Sequence, residues 1–273
     1  VESISLQKIT ENIPNMAHSK IDSTDLLKTL NIQDWQKIIT VKEDSESDGN
    51  FLICHALKHV LEDENKGVCL ITLKYDLAHY QEVGKHLDYN LVEKINSNKV
   101  NVIGPTSSDA DDGGSSSKQA KKFKTDDKAE FAKDFFKKIR KNIREMKKKQ
   151  SGYIYVIIDN VDCLLDLGIP LKGCLFLINM LLNFHERVNL ITGVNTTTND
   201  GQSIATALCF ISDMVITLNS LKAGSCLSGL MIIQRLDTPA EQYQFKAAEK
   251  GVKIFRPGEC SSVNNGSNFR LVC

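Results

Sequence analysis

Two short apolar runs leave few folds open to this chain. "GVCLITL", residues 67–73, and "YIYVIIDN", residues 153–160, are continuous in Val, Ile and Leu and have no polar face. A strand of that kind must be covered on both sides, which is the situation of interior strands in a parallel sheet. "WQKIITV" from Trp35, "KVNVIG" ending at Gly104, "RVNLITGVN" and "DMVITLN" read as further strands. Between them lie helical patterns: "DLLKTLNI" from Asp25, "NFLICHALKHVLED", "DLAHYQEVGKHL", "LKGCLFLINMLLNFHE" and "IATALCFI". Strands alternating with helices at these spacings suit right-handed βαβ crossovers. "LMIIQRL", "EQYQFKAA" and "GVKIFRP" alternate instead, so they predict antiparallel hairpin strands at one edge. The fold class is α/β, a mostly parallel central sheet flanked by helices, with antiparallel strands at its C-terminal end.

Composition changes mark the domain limits. Residues 1–23 read as an N-terminal extension, residues 24–257 as one domain, and residues 258–273 as a tail. Within the domain, Pro105 to Lys128 is rich in Ser, Asp, Gly and Lys and offers almost nothing to bury, so it reads as a disordered insertion. From Ala129 to Met146 the apolar residues Ala132, Phe135, Phe136, Ile139, Ile143 and Met146 recur at helical steps, an amphipathic helix.

The 34 basic residues balance 34 acidic ones, so overall charge selects no partner. Eight cysteines occur without a CxxC pair, several inside apolar runs, where a thiol acts as a small hydrophobe. That usage, and an N-terminus without a basic segment followed by an apolar one, predicts a reduced intracellular protein. No apolar run approaches the roughly 20 residues that a membrane helix needs.

The turn after the first strand sits where many α/β proteins hold a nucleotide's phosphates. A phosphate-binding loop reads GxxxxGK followed by Ser or Thr; its glycines curl backbone N–H groups round the anion and its Lys reaches the outer phosphates. Here the place holds "KEDSESDGN". Asp48, Gly49 and Asn50 stand at the degenerate loop position, no Lys follows Gly49, and Glu43, Asp44, Glu46 and Asp48 crowd the turn with carboxylates. Such charges repel a triphosphate at close range. The turn therefore reads as an acidic surface turn, with Asp48 as the helix N-cap. Asp159 ends the strand "YIYVIIDN" as the Mg²⁺-holding Asp of a Walker B strand would, but Asn160 follows where a hydrolase often carries Glu. Asp159 reads as a remnant without a catalytic role. No catalytic residue, cofactor or metal ligand set is expected.

The stretches "DGNFLICHALKHVL", "VCLITLKYDLAHYQEVGKHL" and "YVIIDNVDCLLDLGIP" resemble the Elongator complex protein 6 family. His79, Tyr80, Gly84 and Leu87 fall where animal members carry similar residues, and "LKAGSCLSGLMIIQR" is similar to the family's final hairpin. The likeness covers roughly residues 24–258. It implies a RecA-like fold with a degenerate P-loop, and a hetero-hexameric ring formed with two paralogous RecA-like subunits. It further implies docking of that ring on the larger Elongator subunits, tRNA binding by the assembled ring, wobble-uridine modification, and a place in the cytoplasm and nucleus.

Other constellations carry weaker chemistry. His55 and His59 are one helical turn apart but lack a third ligand, and His79 and His86 are two turns apart. His185 closes a helix, where a partly charged imidazole favours the dipole. From Lys118 to Lys149 basic residues far outnumber acids; Lys137, Lys138, Arg140, Lys141 and Arg144 are candidates for nucleic-acid phosphates, against the plainer view of a solvated helix face. The loop "NTTTNDGQS", where RecA-like rings often meet nucleic acid, has no basic or aromatic residue. Two alternatives stay open at this point: a divergent ATPase using an atypical loop, and a stand-alone basic nucleic-acid-binding module.

Overall fold

The structure, a computed structural model, describes residue 26 and residues 31–105, 125–184, 187–221, 227–248 and 251–256. The N-terminal extension, most of the helix expected from Asp25, most of the insertion, His185 and the C-terminal tail lie outside the described residues.

Nine strands form one sheet: β1 (Ile38–Glu43), β2 (Gly67–Ile71), β3 (Val100–Ile103), β4 (Ile154–Ile158), β5 (Val188–Asn195), β6 (Met214–Ser220), β7 (Gly229–Arg235), β8 (Glu241–Ala248) and β9 (Gly251–Phe255). Their order is β3-β2-β4-β5-β1-β6-β7-β8-β9. Strands β1 to β6 pair in parallel, with Thr40 opposite Thr192 and Val41 opposite Ile216, and β6 to β9 pair antiparallel. Every residue of β2 and β4 is buried, as their unbroken apolar runs require.

Seven helices connect the described strands: α1 (Asn50–Leu61), α2 (Leu77–His86), α3 (Leu91–Asn96), α4 (Thr125–Lys149), α5 (Cys163–Asp166), α6 (Leu171–Leu182) and α7 (Asn199–Ile211). Leu52, Ile53 and Leu57 of α1, Tyr80 of α2 and Leu91 of α3 pack on one sheet face, together with Met231, Phe245 and Ile254 of the antiparallel strands. Phe135, Ile139 and Ile143 of α4, Leu177 of α6 and Ile204 of α7 cover the other.

Several boundaries differ from the sequence expectation. Trp35 is exposed and the first strand starts only at Ile38. Helix α4 starts at Thr125, so the last four residues assigned to the insertion are helical. The loop "NTTTNDGQS" is cut short because Thr198 Oγ1 accepts the Gly201 N–H at 3.0 Å and starts α7 at Asn199.

All the parallel strands point the same way, so the carboxyl ends of β1, β2, β4 and β5 meet along one edge, where open α/β sheets bind ligands. Gly193 of β5 lets that edge close up: a Cβ there would lie 2.1 Å from the Asp159 carbonyl oxygen. The Val161 N–H donates to the Gly193 carbonyl at 2.9 Å and fixes the chain as it leaves β4.

Candidate functional site

Glu43 is the last residue of β1 and shares the inward parity of Ile39 and Val41, so its carboxylate is only 4% exposed. One oxygen accepts the backbone N–H of Gly49 at 2.6 Å. The other accepts Lys74 Nζ at 2.7 Å and Asn160 Nδ2 at 3.1 Å. Gly49 is the N-cap of α1, at the positive end of the helix dipole. A phosphate would be drawn to such a place. Here the protein's own carboxylate fills it. Glycine is required by the close approach, because a Cβ on Gly49 would stand 2.8 Å from Val41 Cγ1 and 3.1 Å from Glu43 Oε2.

Of the other turn carboxylates, Asp48 and Glu46 are exposed and Asp44 is half-buried, so the turn is acidic at its surface as expected, with Glu43 the one that turns inward. Asp48 is not the N-cap; it accepts the Asn50 N–H at 3.0 Å, the Tyr75 hydroxyl at 2.6 Å and Lys74 Nζ at 3.3 Å. Burial opposes its charge, but the Tyr75 hydrogen bond, the Asn50 N–H and Lys74 prevail and hold its pKa below the ordinary Asp value. Asp44 accepts the N–H groups of Glu46 and Ser47 at 3.0 and 2.8 Å, and Glu46 accepts the Ser220 hydroxyl of β6 at 2.9 Å. For Lys74, burial disfavours the ammonium, and the hydrogen bond and charge of Glu43 more than reverse that, so its pKa is raised.

Asp159, 5% exposed, holds the loop after β2. Its carboxylate accepts the N–H groups of Leu73, Lys74 and Tyr75 at 2.8, 3.0 and 3.1 Å, the Asn160 N–H at 2.7 Å and the Tyr80 hydroxyl at 3.2 Å. Burial pushes its pKa above the ordinary Asp value while those N–H donors pull the other way. Tyr80 also donates to Asn50 Oδ1 at 3.1 Å, and the Asn50 amide meets His79 Nε2 at 2.5 Å. The structure thus brings Asp48, Gly49, Asn50 and Asp159 into one network. Lys74 and Tyr75 join it as well, and the sequence does not single them out, nor does it pair Glu43 with Lys74. The available signal was parity: a carboxylate two residues past Val41 on a strand faces the same core.

Among the described residues, no group of His, Cys, Asp or Glu side chains is placed to hold a metal ion. His55 is buried and its Nδ1 lies 2.7 Å from the Phe51 carbonyl oxygen, as a helix-packed imidazole does. Cys54, Cys69, Cys163, Cys174 and Cys209 are free thiols. Burial pushes Cys54, Cys69 and Cys163 up to about 12 and Cys174 to about 11, so none of these four offers a thiolate at neutral pH.

The basic candidates lie on α4, and the structure divides them. Arg140 and Arg144 line a groove of about 700 Å³ toward α6, with Lys147, Lys148 and the exposed Phe176. Lys137, Lys138 and Lys141 line a second groove of about 530 Å³ toward the end of β3, interleaved with Asp134 and Glu145.

A family model described as elongation complex protein 6 matches residues 24–244, most of the chain. The chain belongs to the Elongator complex protein 6 family. Elongator complex protein 6 of Drosophila melanogaster is 25% identical over 243 residues, covering 84% of this chain and 94% of that protein. Among solved structures, a KaiC-like protein from the hyperthermophilic archaeon Pyrococcus horikoshii is similar with a TM-score of 0.56 at 10% identity, covering 80% of this chain and 89% of that one. A second Pyrococcus horikoshii protein, solved with an unknown peptide, gives 0.54 at 12% identity, covering 81% and 92%. At these identities the likeness speaks for the fold alone. The chain therefore has the RecA-like architecture that the family resemblance implied, with antiparallel strands added beyond β6. No helix among its described residues is long and apolar enough to cross a membrane.

Proposed function

We propose that this chain is a non-catalytic RecA-like subunit of the Elongator complex. In this reading it occupies one position in a hetero-hexameric ring with two paralogous subunits, and the ring docks on the larger catalytic subassembly. The assembled ring binds tRNA in support of wobble-uridine modification, in the cytoplasm and the nucleus.

One observation carries the non-catalytic part. The Glu43 carboxylate bonds the N-cap amide of α1 and the ammonium of Lys74 together, so the two groups best suited to hold a phosphate hold an internal anion. A nucleotide would have to break the ion pair of the buried Glu43 with the partly exposed Lys74 and place its own charge beside Asp48 and Asp159. The Asp159 carboxylate is committed to five donors of its own chain, which leaves it poorly placed for Mg²⁺. The large apolar side chains left exposed, among them Trp35, Phe210 and Leu236, fit a chain that buries surface against neighbours.

The test is co-expression with the two paralogues, followed by native mass spectrometry and light scattering. A hexamer with two copies of each subunit is the expected result. A monodisperse monomer in the presence of both partners would contradict the ring.

A further inference from the structure

Helix α4 turns Phe135, Phe136, Ile139, Ile143 and Met146 into the core, and its two solvent flanks are chemically different. Toward β3, three lysines share their groove with Asp134 and Glu145. Toward α6, Arg140, Arg144, Lys147 and Lys148 share theirs with no acidic residue. Positions 140, 144, 147 and 148 fall on one helical stripe. At 1.5 Å per residue it runs for about 12 Å, enough to follow consecutive phosphates of an extended strand. Among the described residues, none of these four cations has an ion-pair partner.

The opposite wall is also distinctive. Phe176 of α6 is 59% exposed, yet its ring stands 6.0 Å from the buried ring of Phe136 at 33°, so it is braced from behind. Asn179 and Asn183 line the same groove and offer both amide donors and carbonyl acceptors. A cationic track beside an exposed aromatic ring is the combination that binds single strands, with phosphates on the charges and a base on the ring.

We propose that the groove between α4 and α6 binds single-stranded RNA, with Arg140, Arg144, Lys147 and Lys148 on the phosphates and Phe176 stacking a base. This rests on the reading of the chain as part of a tRNA-binding ring, and it assigns that contact to one flank of α4. An acidic segment of another protein would match the charge equally. The exposed flat ring and the paired amides favour an RNA base, and the protein partner becomes an outcome of the test.

The experiment uses the assembled ring and fluorescence anisotropy with labelled tRNA and a labelled oligouridylate of about eight nucleotides, within the range of single-strand sites. Three variants are compared across a salt series: Arg140→Gln with Arg144→Gln, Phe176→Ala, and Lys137→Gln with Lys141→Gln on the other flank. The arginine pair is expected to weaken both RNAs and to flatten the salt slope by about 1.4, two single-strand contacts at about 0.7 each. Phe176→Ala is expected to weaken binding about tenfold at an unchanged slope. The lysine pair is expected to leave affinity and slope near those of the parent.

Unchanged affinity and slope in the arginine variant, or equal effects on both flanks, would overturn the groove assignment while an intact ring leaves the Elongator reading standing. RNA binding that persists while the arginine variant loses the larger Elongator subunits would make the groove a protein dock and also overturn the proposal. Failure of the parent chain to assemble would instead strike the reading on which the proposal rests.

Discussion

Glu43 is the residue on which the carboxyl edge turns. A buried carboxylate is costly unless it is paired and hydrogen-bonded, and this one has an ammonium, a backbone amide and a side-chain amide. Glu43→Gln keeps the shape but leaves Lys74 without its main counter-charge and turns an amide N–H toward donors. Lys74 is partly exposed and can rehydrate, so the loss comes mainly from the buried hydrogen bonds, about 2 kcal/mol, and chemical denaturation of the variant should show a loss of that order. Unchanged stability would mean that the clasp contributes little. Asp159 acts at the same scale on the loop after β2. Asp159→Asn replaces an acceptor-only group by one that must also donate. The amides of Leu73, Lys74 and Tyr75 should then lose hydrogen-exchange protection, while those of β2 keep theirs.

At the scale of elements, α1 is helical by sequence but buried nearly all round, and that burial makes one of its residues pH-sensitive. The His55 ring is enclosed, its Nδ1 meets the Phe51 carbonyl, and its Nε2 has no partner. Burial lowers its pKa below the ordinary 6.5, assisted by Lys58 and opposed by the Phe51 hydrogen bond. Below about pH 6.5 the unfolded chain takes up a proton that the folded chain refuses, so stability should fall as pH drops from 7.5 to 5.5. Thermal melts of the parent and of His55→Leu should diverge over that interval, with the variant flatter; parallel curves would contradict the assignment.

The same scale shows what was legible in the sequence. Strands β2 and β4 were plain because burial on both faces leaves a continuous apolar run, and α4 because its stripe persists over many turns. Helices α3 and α5 span six and four residues, too few turns for periodicity to register. The absence of a GxxxxGK pattern after β1 was legible directly from the missing Lys and glycines. The pairings of the turn carboxylates were not, because joining Glu43 to Lys74 and Asp48 to Tyr75 depends on how the ends of β1 and β2, with two strands between them, come together, which local pattern does not encode.

For the whole molecule, the central claim is that a RecA-like scaffold has exchanged its grip on a triphosphate for an internal clasp, leaving its surfaces for partners and RNA. The clasp joins the turn after β1, the loop after β2 and the end of β4 into one hydrogen-bonded edge. It predicts a subunit whose edge keeps the same conformation at any nucleotide concentration. The most direct measurement is a high-resolution structure of the assembled complex in saturating ATP–Mg²⁺. Glu43 should still bond Gly49 and Lys74, with no nucleotide at the N-terminus of α1. A triphosphate seated on the amides of Gly49 and Asn50, with Glu43 swung away and Asp159 facing Mg²⁺, would contradict the account.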